Sequence, residues 1–186
     1  MPDTIIDGQG GGNQAGVTEE NRLKTDTISE TLAHHVNKHE SDYYTLTISQ
    51  QATAADDCIG YIKNTDDKDL HINSVYLYST AATLLTIKLS DEGTPDTPTT
   101  LTPVNCHAGS NKTASGTFNQ GAELDKSSAL RSGSTALNWY QDSATSGHGE
   151  LLDFYPMLII PKNSTCTFYV NQNSAAVVVG LGMFYH

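Results

Sequence analysis

Basic residues are few: 10 Lys and Arg stand against 21 Asp and Glu in 186 residues, a formal net charge of −11. Nucleic-acid binding depends on clustered Lys and Arg that neutralise phosphates, and attachment to anionic lipid needs the same clusters. Neither nucleic acid nor membrane is therefore expected as a partner. The acidity reads instead as solubility and as repulsion between copies. Cysteine is scarce too. Cys58, Cys106 and Cys166 are far apart, odd in number and form no CxxC pair, which argues against a disulfide framework or a zinc site and predicts buried free thiols in a reducing cytosol. No apolar run approaches the roughly 20 residues of a membrane span. Met1-Pro-Asp-Thr-Ile-Ile-Asp-Gly8 lacks the basic and apolar parts of a secretory signal.

Thr, Ser, Asn and Gly are abundant, which favours strands and loops over a helical bundle. Residues 1–42 are expected to form an arm. Gly8-Gln-Gly-Gly-Gly12 cannot hold regular structure by itself, and Ile28, Leu32 and Val36 at four-residue spacing suggest at most a short helix over 28–38. From Asp42 the period changes to two. Tyr44, Leu46 and Ile48 alternate with polar residues; Cys58–Lys63, Leu70–Tyr78 (with a kink at Asn73-Ser74) and Thr83–Leu89 follow at strand spacing. Three prolines in Asp91–Pro103 mark a surface or sheet-edge segment. Val104 opens a short strand and then a loop, and Leu137–Tyr140 reads as another strand. The densest apolar block lies in Tyr155–Pro161, Cys166–Val170 and Ala175–His186. About eight strands with long middle loops predict an all-β, jelly-roll-like antiparallel β-sandwich over 43–186 with an extended N-terminal arm. In the last strand Val177, Val179, Leu181, Met183 and Tyr185 fall on one face, with Phe184 on the other. A strand apolar on both faces belongs inside a sheet or at an oligomer contact.

No reaction is legible. His34, His35 and His39 with Glu40 and Asp42 have the residue types of a metal site but not the HExxH spacing of a zinc hydrolase, and a solvated arm accounts for them more simply. Asn64, Asp66, Asp67 and Asp69 lack the glycine and terminal Glu of a calcium loop, so an ordinary charged turn is expected. No GxSxG elbow is present. Cys106 and His107 are neighbours that a strand would point to opposite faces, and Glu150 with Asp153 is a pair any acidic chain offers. No catalytic residue, metal or cofactor is expected, and the chain is not expected to be an enzyme. Tyr76, Tyr78, Trp139, Tyr140 and Tyr155 could stack on sugars if exposed on one face, although alternating aromatics in a sandwich are more often core.

Ile5-Ile-Asp-Gly-Gln-Gly10, Val17-Thr-Glu-Glu-Asn-Arg-Leu-Lys-Thr25 and His39-Glu-Ser-Asp-Tyr-Tyr44 resemble small virion proteins of tailed bacteriophages, which open with a DG-x-G stretch and V-x-x-x-N-R-L-x-T before a β-rich body. Leu70–Leu77 and Leu158–Thr165 look like the same group. The resemblance implies a jelly-roll-like virion structural protein, made in the host cytoplasm, serving as a capsid decoration or as a head–tail (neck or tail) assembly component. Its partners would be major capsid, portal, neck or tail proteins and further copies of itself, a trimer first. Ile5, Ile6, Asn21, Arg22 and Leu23 are the expected anchoring residues. The alternative is a carbohydrate- or host-receptor-binding module of the virion, using exposed aromatics and the loops Asp91–Pro103 and Asp142–Gly149.

Overall fold

The computed structural model describes residues 4–6, 14–16, 31–90, 92–126, 130–131, 133–141, 149–171 and 175–186. Two compact units divide the chain, Met1–Thr31 and Leu32–His186. In the first, β1 (Thr4–Ile6) pairs antiparallel with β2 (Gln14–Gly16), Ile5 opposite Ala15. The anchoring candidates Ile5 and Ile6 thus lie on β1. Asn21, Arg22 and Leu23 lie outside the described residues.

The second unit opens with α1 (Leu32–His35), which runs into a single π-helical turn, Val36–Glu40. Ser41 in the left-handed region ends it. Where the sequence suggested a helix over 28–38 inside an arm reaching Asp42, the helical stretch is 32–40 and groups with the body; Ile28 lies outside the described residues. The strands that follow are β3 (Tyr43–Gln51), β4 (Asp57–Asn64), β5 (Leu70–Ser79), β6 (Thr83–Leu89), β7 (Glu92–Gly93), β8 (Thr99–Thr100), β9 (Val104–Asn105), β10 (Gly116–Gln120), β11 (Leu130–Arg131), β12 (Ser134–Gln141), β13 (Gly149–Ile160), β14 (Thr165–Val170) and β15 (Ala176–Tyr185).

Two antiparallel sheets make a sandwich, ordered β13-β5-β15-β3-β9 and β12-β6-β14-β4-β10-β8. First strands pair with last: β3 with β15, β4 with β14, β5 with β13, β6 with β12. The chain is thus one long hairpin, β3–β6 running out and β12–β15 running back. Rolling it brings β15 against β5 and β14 against β6. This is jelly-roll topology. Residues 90–133 are an insertion between the two halves; β10 extends the second sheet beyond β4.

The core comes from the two facing sheets. Ile48, Ile59, Ile62, Leu77, Leu85, Ile87 and Phe168 meet Val177, Val179, Leu181, Met183 and Tyr185 of β15. Of the two settings that suited β15, the interior is the one observed: those five side chains lie inside a single copy, and Phe184 on the other face is also fully buried. As placed, none of the six is open to a neighbouring copy. Asn73 is the unpaired residue where the register of β5 shifts against both β13 and β15, the expected kink. The insertion covers the outer face of β4. Leu124 and Leu130 bury Cys58, Tyr61 and Tyr169, and Asp125 accepts a hydrogen bond from the Cys58 N–H at 3.0 Å.

One cysteine departs from expectation. Cys58 and Cys166 are buried, but Cys106 is exposed: it falls just past the two-residue β9, its N–H still donating to the Tyr43 carbonyl at 2.9 Å, and shares the solvent-facing side of that edge with Val104. A thiol reagent is expected to modify one cysteine per native chain, Cys106, and all three after denaturation, as mass spectrometry would count.

Candidate functional site

Two places on the body concentrate unusual chemistry, and both lie around the five-stranded sheet. The first is the root of the arm. Phe184 points away from the core, since its neighbours Met183 and Tyr185 point in. It is nonetheless 0% exposed. Its ring stacks between Tyr43 and His71, centroids 6.1 and 5.0 Å away, and Val36–Glu40 packs against β15. Val36 is the one buried residue of that turn, also at 0% exposure. A single apolar side chain therefore docks the start of the body onto the outside of its own sheet.

Polar groups lock the same root. Asp42 is nearly buried and takes ion pairs from Lys68 at 3.4 Å and Lys112 at 2.8 Å. The Tyr44 hydroxyl donates to it at 3.3 Å. Burial, and then the Asp42 charge, pushes the Tyr44 phenol up to about 12. Lys68 also donates to Glu40 at 3.0 Å; this bond holds the Glu40 carboxyl below its ordinary range and raises the Lys68 ammonium. The turn Asn64–Asp69, read as an ordinary charged turn, supplies Lys68 to this cluster. The backbone N–H of Lys68 in turn holds the Asp66 carboxyl low. Sequence reading missed the clasp because Lys68 and Lys112 are far from Glu40 and Asp42 in the chain. The rings of His35 and His39 lie 4.7 Å apart and Glu40 is engaged by Lys68; among the described residues no group of three or more His, Cys, Asp or Glu is placed to hold an ion.

His71 reports on the root. Burial lowers its pKa from the ordinary 6.5, with His186 adding to the shift and Asp69 opposing it. The folded state therefore disfavours protonation that the unfolded chain accepts, so stability is lost as pH falls below about 6.5 towards the lowered folded value. His71→Phe keeps a ring against Phe184 and removes the proton. The stability of this variant relative to the unsubstituted chain, measured by denaturant unfolding, is expected to increase between pH 7.5 and 5.5.

The second place is a trough on the same outer face with a volume of about 280 Å³, lined by Tyr43, Thr45, Thr47, Ser74, Tyr76 and Leu151 over the backbone of Gly180–Gly182. Two glycines create it. Gly182 leaves room for Tyr43 to cross β15, where its hydroxyl donates to Asn73 Oδ1 at 3.0 Å; a Cβ on Gly182 would collide with that hydroxyl and with Ser74. Gly180 leaves the floor bare beside Tyr76. Tyr76 is 38% and Leu151 66% exposed, and no charged side chain lines the space.

The other candidates are dispersed. By register Glu150 faces as Leu77 does, towards the core, and Asp153 as Ser74 does, outward, so the imagined acid pair is split across β13. Trp139 packs half-buried against the core while Tyr140 points out. Nothing is described of the Tyr155 side chain. Cys106 and His107 sit past β9, where the His107 N–H is held by Asn105 Oδ1 at 2.8 Å. No protein-family model, no curated protein and no solved structure matches the chain.

Proposed function

We propose that this chain is a structural component of a tailed-bacteriophage particle, a capsid decoration or head–tail assembly protein. The arm anchors it to a capsid, portal, neck or tail protein, and the jelly-roll body stands on the surface. The observation that carries this reading is a glycine-rich arm, with the DG-x-G and N-R-L phrases, leading into a root fixed on the body by Val36 and by the Asp42 clasp. A root of fixed direction lowers the entropy lost when many such arms engage a repeating lattice. Immunogold labelling of purified particles with antibody to the body tests the proposal: regular labelling at one structure supports it, and unlabelled particles from cells making the protein contradict it.

The trough favours one second reading, recognition of a neutral glycan. An exposed Tyr76 ring offers a stacking platform, the Thr45, Thr47 and Tyr43 hydroxyls surround it, and the absence of charge suits an uncharged sugar. A glycan array probed with the full chain should then give signals that Tyr76→Ala removes. An array blank throughout removes this reading.

A further inference from the structure

Each of the two main sheets ends in two edge strands, and an edge presents unpaired N–H and C=O groups that invite another strand. Three of the four edges are blunted. On one side of the sandwich, β8 and β9 are two residues long, with Pro98 directly before β8 and Pro103 directly before β9. On the other side, β13 carries Glu150 and Asp153, loses register between Asp153 and Leu158, and contains Pro156, which has no N–H to donate. The fourth edge, β12, has none of these guards over most of its length. Residues 132–141 contain no charge and no proline. The one register shift, at Ala136, leaves Leu137–Gln141 in regular pairing with β6. Among the described residues no strand pairs with the other side of β12.

Apolar surface gathers on the same side. Of the five large hydrophobic residues exposed among the described residues, Tyr76, Tyr140, Leu151 and Ile159 belong to β5, β12 and β13; only Val104 lies elsewhere. Leu137 and Trp139 of β12, and Leu158 of β13, reach the core from this flank but remain half-exposed; among the described residues no strand closes the gap between the two sheets there.

We propose that β12 is the contact between copies of this chain, pairing antiparallel with β12 of a second copy across a two-fold axis. The occupant follows from what each copy offers. A free edge is satisfied by another free edge, and the unguarded edge of the body in the second copy is again β12. Like strands meeting across a two-fold run antiparallel, the arrangement in which their hydrogen bonds are perpendicular to the strands. Charge points the same way. Two bodies from a chain of net charge −11 repel over most of their surfaces, and an uncharged strand is where approach costs least. A register centred on Trp139 places Asn138 of each copy opposite Tyr140 of the other and covers the open flank holding Trp139. The contact rests on the reading that copies associate and not on where the protein sits in a particle; it makes the association two-fold, where the family resemblance led one to expect a trimer.

Light scattering on the full chain at micromolar concentration tests it. The unsubstituted protein should be a dimer, and so should Tyr140→Phe. Asn138→Lys with Tyr140→Lys sets like charges opposite one another and should raise the dimer dissociation constant about tenfold or more, with far-UV circular dichroism unchanged. Ile5→Asp with Ile6→Asp in the arm should leave the dimer intact. A monomeric full chain, a dimer or trimer indifferent to the β12 lysines, or an oligomer dissolved by the arm substitutions instead would each overturn the proposal. None of these outcomes bears on whether the arm reaches a particle.

Discussion

Replacing Phe168 by Ala is expected to lower stability by about 3–5 kcal/mol and the melting temperature by roughly 6–20 °C. Phe168 lies fully buried in β14, a strand at the centre of the six-stranded sheet. Its ring and the end of Ile48, from the opposite sheet, both press on the space above Gly60. The glycine lets the two sheets approach there, and Phe168 and Ile48 fill the gap. Truncation leaves a cavity bounded by strands that pair on both sides and cannot collapse into it. Val104→Ala, on an exposed position of the two-residue strand β9, is the control and should change stability by no more than about 0.5 kcal/mol. Denaturant unfolding of both variants decides the matter; similar losses at the two positions would mean that the core is not where it is described.

Val36→Asp is expected to act locally and strongly. Full burial of a valine contributes about 1.5–3 kcal/mol, and Val36 is the only buried residue of the Leu32–Glu40 stretch. An aspartate there cannot stay buried unpaired. The segment should leave the sheet, uncover Phe184 and lose about 10- to 100-fold of its amide-exchange protection, while the strands keep theirs. The clasp from Lys68 and Lys112 to Asp42 is half-exposed on the lysine side and contributes less than the docked valine, so it should not hold the segment alone. Unchanged protection over residues 32–40 would show that the root is fixed by something other than Val36.

Much of the body was legible because its strands carry their own signatures. Tyr44, Leu46 and Ile48 alternate with exposed threonines and serine and are observed doing so in β3. The polar pair Asn73-Ser74 interrupts β5 where the register shifts. What local pattern could not supply is pairing over long sequence separation. Nothing in Leu46 announces that its partner is Leu181, although the first-with-last rule of a jelly roll makes it so. β10 escaped notice because Gly116-Thr-Phe-Asn-Gln120 offers one core side chain, Phe118; it is a strand because β4 has an edge to extend. The last strand, apolar on both faces, fitted an interior or a subunit contact equally well. The insertion and the Val36 turn decide what covers each outer face, and neither is a property of β15 itself. The arm's phrases gave the family resemblance, and its root on the body became visible only in three dimensions.

The central claim is that the arm carries the protein onto a particle. Its most direct test is incorporation. Cells producing particles without their own copy of the gene would be supplied with either the unsubstituted chain or the variant Ile5→Asp, Ile6→Asp, Leu23→Asp, and copies per purified particle counted by quantitative mass spectrometry. The account predicts a fixed number for the unsubstituted chain and at least a tenfold loss for the variant, with both proteins equally folded and abundant in the lysate. Equal incorporation of the two, or absence of both from particles, would contradict it.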